Sequence, residues 1–239
     1  PKSGFPQVGI TSKMNSLCLA MFMGSSDTVE MLLQSGIDPN DCSDGKGIDP
    51  FTFACVTGKL ENMKCWIENV KSWNVNRRNL FNGSTALHTV VYMGTPQHTL
   101  EVVKFLVQRG ARVDITNNAG SAILMNSVEN EDLDPNVVDF IISKVVDVNQ
   151  KRRSRTMKWR AIRFAARVTR NRSGLMAMLA RGSGATALHH ATMRGDMEIV
   201  EMLLSAGADP SVKNDLGENA ISLSIAYPEL RGVIKKYTS

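Results

Sequence analysis

The chain repeats itself. From Gly184 to Gly217, a spacing of 33 residues, it reads GATALHHATMRGDMEIVEMLLSAGADPSVKNDLG. The earlier stretches GSTALHTVVYMG (from Gly83 to Gly94) and LEVVKFLVQRGARVD (from Leu100 to Asp114) say nearly the same thing, with about four residues inserted around Pro96. A period in the range of about 20 to 50 residues confines the fold to supersecondary units stacked side by side.

Each unit reads as two short antiparallel helices and an extended loop. Thr186 is placed to cap a first helix whose Leu188 and Ala191 share a face, and Gly195 ends it. Ile199, Val200, Leu203 and Leu204 form the buried stripe of a second helix, Gly207 suits a left-handed C-cap, and Ala208 to Asn214 make a polar turn. Helices this short are marginal alone, so their stability has to come from neighbours. Weaker copies occur at 15–40, 47–70 and 120–149. A disguised copy at 151–183 aligns without a gap, placing Arg163 on Leu188, Ala166 on Ala191, Leu175 on Val200, and Met178 and Leu179 on Leu203 and Leu204. The predicted organisation is one all-helical domain over 1–239, with units at about 14–43, 44–79, 80–116, 117–150, 151–183 and 184–216 and a cap at 217–239. Leu32, Leu33, Trp66, Ile67, Leu106, Ile141, Ile142, Leu203 and Leu204 are expected in the core, and no central sheet is expected.

The pattern T-x-L-H-x-x-x-x-x-G followed by an apolar helix ending L-L-x-x-G-A-D resembles the ankyrin repeat, closely in the third and sixth units and loosely elsewhere. The resemblance implies a solenoid of stacked helix pairs with projecting hairpin fingers, whose usual work is binding other proteins. It also implies that His88 and His189 hydrogen-bond Thr85 and Thr186 rather than a ligand. Units lacking the His, at Asp49-Pro50-Phe51-Thr52 and Ala122-Ile123-Leu124-Met125, are expected to be looser.

No catalytic chemistry stands out. The chain has no G-x-S-x-G, Walker-type loop or H-E-x-x-H, and His98 and His190 lack Cys, Asp or Glu at metal-ligand spacing. A non-enzyme without cofactor or metal is expected. Most of the 13 methionines read as core filler. The longest apolar run, from Leu17 to Met23, is far short of the roughly 18 residues of a membrane span. The four cysteines form no C-x-x-C pair and sit mostly in apolar helical patterns. They point to a reducing, intracellular and cytoplasmic setting, with the N-x-S/T triplets at Asn82 and Asn171 read as chance. Pro1 opens the sequence without a leader, as expected of a fragment or a processed chain.

The net charge of +5 is concentrated. Eleven of the 28 basic residues lie between Lys151 and Arg181 with no Asp or Glu among them, leaving 17 basic against 23 acidic residues elsewhere. An acidic body with one basic block implies a local anionic contact. Arg160, Arg163, Arg167 and Arg170 are expected to form one stripe beside a long finger carrying Arg152 and Arg153. That arrangement suits an acidic peptide, a phosphorylated segment or an anionic headgroup. Nucleic acid is disfavoured because one block neutralises few phosphates.

The reading is a non-catalytic protein-interaction or scaffolding module. Its contact surface is expected on the fingers, at Arg77, Arg78, Arg112, Asn117, Lys213 and Asn214, and on the first helices, at Thr89, Tyr92, His190, Met193 and Arg194. Two alternatives stand beside it: an anionic-ligand binder (phospholipid headgroup or nucleic acid) centred on 151–172, and a structural subunit of a larger assembly. One junction is odd. Successive units elsewhere are separated by ten or eleven residues, as from Gly110 to Gly120, whereas Gly182 and Gly184 are two apart. A finger is missing there, read as residues skipped in the chain, with a true deletion as the alternative.

Overall fold

A computed structural model describes residues 14–40, 48–94, 96–169 and 174–238. They fall into two compact units, 1–112 and 113–239.

In the first unit the pairs are α1 (Ser16–Met23) with α2 (Ser26–Gln34), α3 (Pro50–Thr57) with α4 (Leu60–Asn69), and α5 (Ala86–Met93) with α6 (Pro96–Gln108). Helix α1 packs on α3 and α3 on α5, while α2 packs on α4. The first helices are short because each is stopped within about two turns by Gly or by a polar residue, and they are apolar because both flanks are covered. Phe51, Trp66 and Trp73 meet at ring-centroid distances of 5.1 to 6.4 Å and fill the space between α3 and α4. The Asp-Pro-Phe-Thr unit is not loose. Asp49 caps α3 through the Thr52 amide (2.8 Å) and hydroxyl (2.9 Å), Pro50 supplies the first helical turn, and residues 50–55 are buried. Burial raises the Asp49 pKa against those two hydrogen bonds.

In the second unit the elements are α7 (Ile123–Glu129), α8 (Pro135–Ile142), α9 (Met157–Val168), α10 (Gly174–Arg181), α11 (Ala187–Arg194), α12 (Met197–Ser205), α13 (Ala220–Leu223) and α14 (Pro228–Lys236). The stacking skips the expected fifth unit: α7 packs on α11 and α11 on α13, α8 packs on α12 and α12 on α14, while α9 and α10 pack on each other. Among the described residues there is no sheet, and an isolated bridge joins Thr116 to Ala122.

The finger backbone shows where the extra helices enter. In one finger Asn117 N donates to Ser121 O (3.0 Å) and Gly120 N to Asn117 O (3.0 Å); in another Asn214 N donates to Glu218 O (2.8 Å) and Gly217 N to Asn214 O (3.1 Å). Two residues form each tip. The same pair of bonds recurs between Arg152 N and Ala185 O (2.8 Å) and between Gly184 N and Arg152 O (3.2 Å), with residues 153–183 in place of the tip. Side chains give the same register. Asn149 donates to Gly207 O (3.2 Å) and accepts from Asp209 N (2.7 Å), as Asn76 does with Gly110 O (2.9 Å) and Arg112 N (2.8 Å) one unit on. Glycines mark the crossing points: a Cβ added at Gly120 (φ 84°) would lie 2.8 Å from Arg153 N, and one at Gly184 (φ 69°) 3.0 Å from Asp215 N.

Helices α9 and α10 are therefore a helix pair inserted at a fingertip, not a stacked fifth repeat. The short link from Gly182 to Gly184 has a direct explanation, since the hairpin returns to the finger it left and has none of its own. Leu175 and Met178, aligned with core positions of the template, are correspondingly exposed. Trp66, Leu106, Ile141, Leu203 and Leu204 are buried as expected, whereas Leu32, Leu33, Ile67 and Ile142 are half-buried. Ile67 and Ile142 each follow a fully buried residue, and the turn of about 100° per residue carries them to the rim.

Two outcomes test this architecture. Leu203→Ala should lower unfolding stability by about 2 to 5 kcal/mol in chemical denaturation, as large-to-small core changes do. Replacing residues 153–183 with Asp-Leu, the tip at Asp215-Leu216, should leave a cooperatively unfolding chain with the helical circular-dichroism signal expected after loss of two helices.

Candidate cationic site on the inserted hairpin

Helix α9 starts where the Thr156 hydroxyl accepts from Trp159 N (3.4 Å), and at 12 residues it is longer than the other first helices. Its arginines do not form one exposed stripe. Arg163 is buried, donates from Nη1 to Leu179 O (3.1 Å) across to α10, and stands 6.0 Å from the Trp159 ring centre. Burial, with the Arg152 charge beside it, pushes its pKa down to about 10, so it remains cationic at neutral pH. Arg160 is exposed, and Arg170 lies outside the described residues.

Asp215 gathers the others. Its carboxylate accepts from Arg153 (3.2 Å), Arg167 (2.9 Å) and the Ser183 hydroxyl (2.6 Å), tying the hairpin to the next fingertip. Between α9 and that tip lies a cavity of about 660 Å³ bordered by Arg152, Arg153, Arg160, Arg163, Arg167 and Asp215, with Met157, Ala161 and Phe164 as apolar wall.

Beneath it, Arg152 turns inward to Glu129 of α7, in hydrogen-bond and ion-pair contact, and the His190 Nδ1 lies 3.3 Å from the same carboxylate. Among the described residues Arg152 Nε, Arg163 Nε and His190 Nε2 are buried without a hydrogen-bond partner. Burial first, then the Arg152, His189 and Arg163 charges, hold the His190 pKa well below its usual value. The ring is neutral near pH 7, and Glu129 answers Arg152.

Several expected contact residues serve the fold instead. His190 is buried, Arg194 is half-buried with its guanidinium on Val128 O and 3.5 Å from Asp196, and Met193 is half-buried, because α7 covers this face of α11. Asn117 and Asn214 are buried turn-makers whose carbonyls accept from Ser121 N (3.0 Å) and from Leu216 and Glu218 N (both 2.9 Å). Arg77 lies over Trp73 and bonds Asn40 (3.0 Å), and Arg78 bonds Gly83 O (2.9 Å). Thr89 is half-buried and donates to Thr85 O (3.2 Å). Tyr92 and Arg112 in the first unit, and Arg153, Arg160 and Lys213 in the second, are exposed. His88 and His189 behave as the resemblance implied. Each Nδ1 accepts from its Thr backbone N–H (3.2 Å), and His189 Nε2, which then carries the proton, donates to Glu218 O (3.2 Å). The sequence signal for the buried Arg152–Glu129–His190 cluster was weak, since it joins residues far apart in the chain. Cys18, Cys55 and Cys65 are buried, and Cys42 lies outside the described residues. Among the described residues no cluster of His, Cys, Asp or Glu could hold a metal, and no helix is long and apolar enough to cross a membrane.

The family described as "Ankyrin repeats (3 copies)" matches residues 17–117, 51–152 and 97–214. The chain is 27% identical over 218 residues to the B-cell lymphoma 3 protein homolog of Mus musculus, covering 89% of this chain and 40% of that protein. It is 29% identical over 138 residues to the Ankyrin repeat and SAM domain-containing protein 6 of Rattus norvegicus, covering 57% of this chain and 15% of that protein. The chain thus spans less than half the length of either relative. The crystal structure of the ankyrin repeat domain of Bcl-3, described as a unique member of the IkappaB protein family, superimposes with a TM-score of 0.70 at 21% identity, over 93% of this chain and 82% of that one.

The buried neutral histidine gives a pH prediction. The unfolded chain protonates His190 near its ordinary value of 6.5, whereas the native site resists the proton, so stability should fall as pH drops through that value. Thermal unfolding midpoints measured at about pH 7.5 and 5.5 should show this loss, and His190→Gln should make it smaller.

Proposed function

This chain belongs to the ankyrin-repeat family, and from that premise we propose that it is a non-catalytic protein-binding or scaffolding module whose partner offers an acidic or phosphorylated segment. Ankyrin repeats are protein-interaction modules in general. The observation that carries the finer reading is the division of labour among the polar residues. Those belonging to the repeat, Thr85, His88, Asn117, Thr186, His189 and Asn214, are spent on caps and turns, while exposed cations collect at the fingertip where the chain departs from the repeat. In the second unit Arg153, Arg160, Arg167 and Lys213 offer the contact surface; in the first, Tyr92 and Arg112 do so.

A second reading, an anionic ligand such as a phospholipid headgroup, is favoured by the same cavity, whose border holds five arginines. An intracellular, cytoplasmic setting for this chain is part of the same proposal, and the buried Cys18, Cys55 and Cys65 support it.

Affinity capture from lysate should retain a specific set of proteins at about 0.1 M salt and lose them progressively towards 0.5 M, where charges are screened within about 4 Å. The double variant Arg160→Glu with Lys213→Glu should weaken capture without changing the unfolding midpoint, since both side chains are exposed. Arg152 is left out because its burial against Glu129 would make reversal a folding defect. Capture unmoved by salt and by both reversals would make the cationic tip a bystander.

A further inference from the structure

Helix α9 presents an outward face with two chemistries in register. Met157, Ala161, Phe164 and Val168 follow one another at spacings of 4, 3 and 4 and so lie on one stripe, and Met157, Phe164 and Val168 are 74%, 58% and 60% exposed. Arg160 and Arg167 border the stripe at the same spacing, and Arg153 stands at the mouth of the groove beside it. We propose that this face is a docking groove for an acidic amphipathic helix of a partner protein, its apolar ridge on Met157, Phe164 and Val168 and its carboxylates on Arg153, Arg160 and Arg167. The proposal rests on the protein-binding reading above and narrows it to one surface and one kind of partner.

The spacing selects a helix. A ridge repeating every three or four residues fits between the ridges of a second helix, whereas an extended strand alternates every two and would match the stripe at few points. Charge selects an acidic one. Residues 151–183 contain no Asp or Glu, and the acid bordering the groove, Asp215, is already engaged by Arg153, Arg167 and Ser183. Arg152 and Arg163 add positive potential from below, where Glu129 balances one of them. The fingertip position leaves the helix uncovered by the α7–α11 and α8–α12 stacks, so its apolar stripe has no role in holding the repeats together.

The test uses a fluorescein-labelled synthetic peptide about 15 residues long, the length of about four helical turns, with Leu at spacings of 3 and 4 and Glu flanking them. The full chain should bind it at least about tenfold more tightly than a peptide of the same composition with the spacing scrambled. Phe164→Asp and Arg160→Glu should each weaken it about tenfold while leaving the unfolding midpoint unchanged, since both side chains are exposed. Equal binding of the scrambled peptide would overturn the proposal in favour of charge alone. Tighter binding of a phosphoserine peptide, or of phosphatidylserine vesicles, would overturn it in favour of that ligand, and a concentration-dependent dimer abolished by Phe164→Asp would make a second copy the occupant. The chain with 153–183 replaced by Asp-Leu separates the two levels. Proteins captured equally well by it, together with failure of the peptide, would leave the protein-binding reading standing and remove the groove.

Discussion

Two backbone hydrogen bonds, Arg152 N to Ala185 O and Gly184 N to Arg152 O, hold the second unit in register. They close the finger at its usual width, so α11 arrives over α7 as though the intervening residues were absent. Helices of seven to nine residues, as α7, α8, α11 and α12 are, have little stability outside such a stack. Without that closure Ile141, Leu188, Val200 and Leu203 would lose the neighbours that bury them. The insertion is tolerated because it enters at the tip, where only two residues are displaced and no core position is touched.

The inserted hairpin has its own economy of charge. Arg152 takes the place of the turn-making asparagine of other fingers and cannot accept the backbone N–H groups that Asn117 and Asn214 accept, so it reaches inward to Glu129 instead. An arginine there is a cation at the base of a cationic helix, and Asp215 and Glu129 are the carboxylates that hold the assembly together. Burial first, and then the charge of Arg152 beside it, keep the His190 ring beneath neutral.

The repeat and its helix pairs were legible in the sequence because each is written within a few residues, and the Thr–His pairs came with the family resemblance that those residues carry. Stacking order was not, because it depends on which unit meets which, and a helix pair with ordinary apolar spacing looks alike whether stacked or inserted. The gapless alignment of 151–183 was therefore misleading, although two signs pointed the right way: Arg163 where the template wants Leu188, and a finger missing between Gly182 and Gly184. Read together they describe a pair of helices without a finger of its own, and read apart they describe an odd repeat and a gap. The exposed positions of the first helices were overestimated for a related reason. A polar side chain such as His190 is legible, but the helix that comes to cover it is not.

A fingertip that carries a hairpin also changes how the second unit folds. The stretch from the end of α8 to the start of α11 is roughly threefold longer than that from α12 to α13, and closing a loop lengthened by that factor costs about 1 kcal/mol more in chain entropy. In a linear array, where each unit is coupled to its neighbours and to little else, such a cost falls on a single coupling. The α7–α8 and α11–α12 pairs then meet late, unless α9 and α10 have already formed and shortened the path. The seam between these pairs is weakened by that amount, and a ligand that orders the hairpin would tighten the repeats on either side of it without touching them.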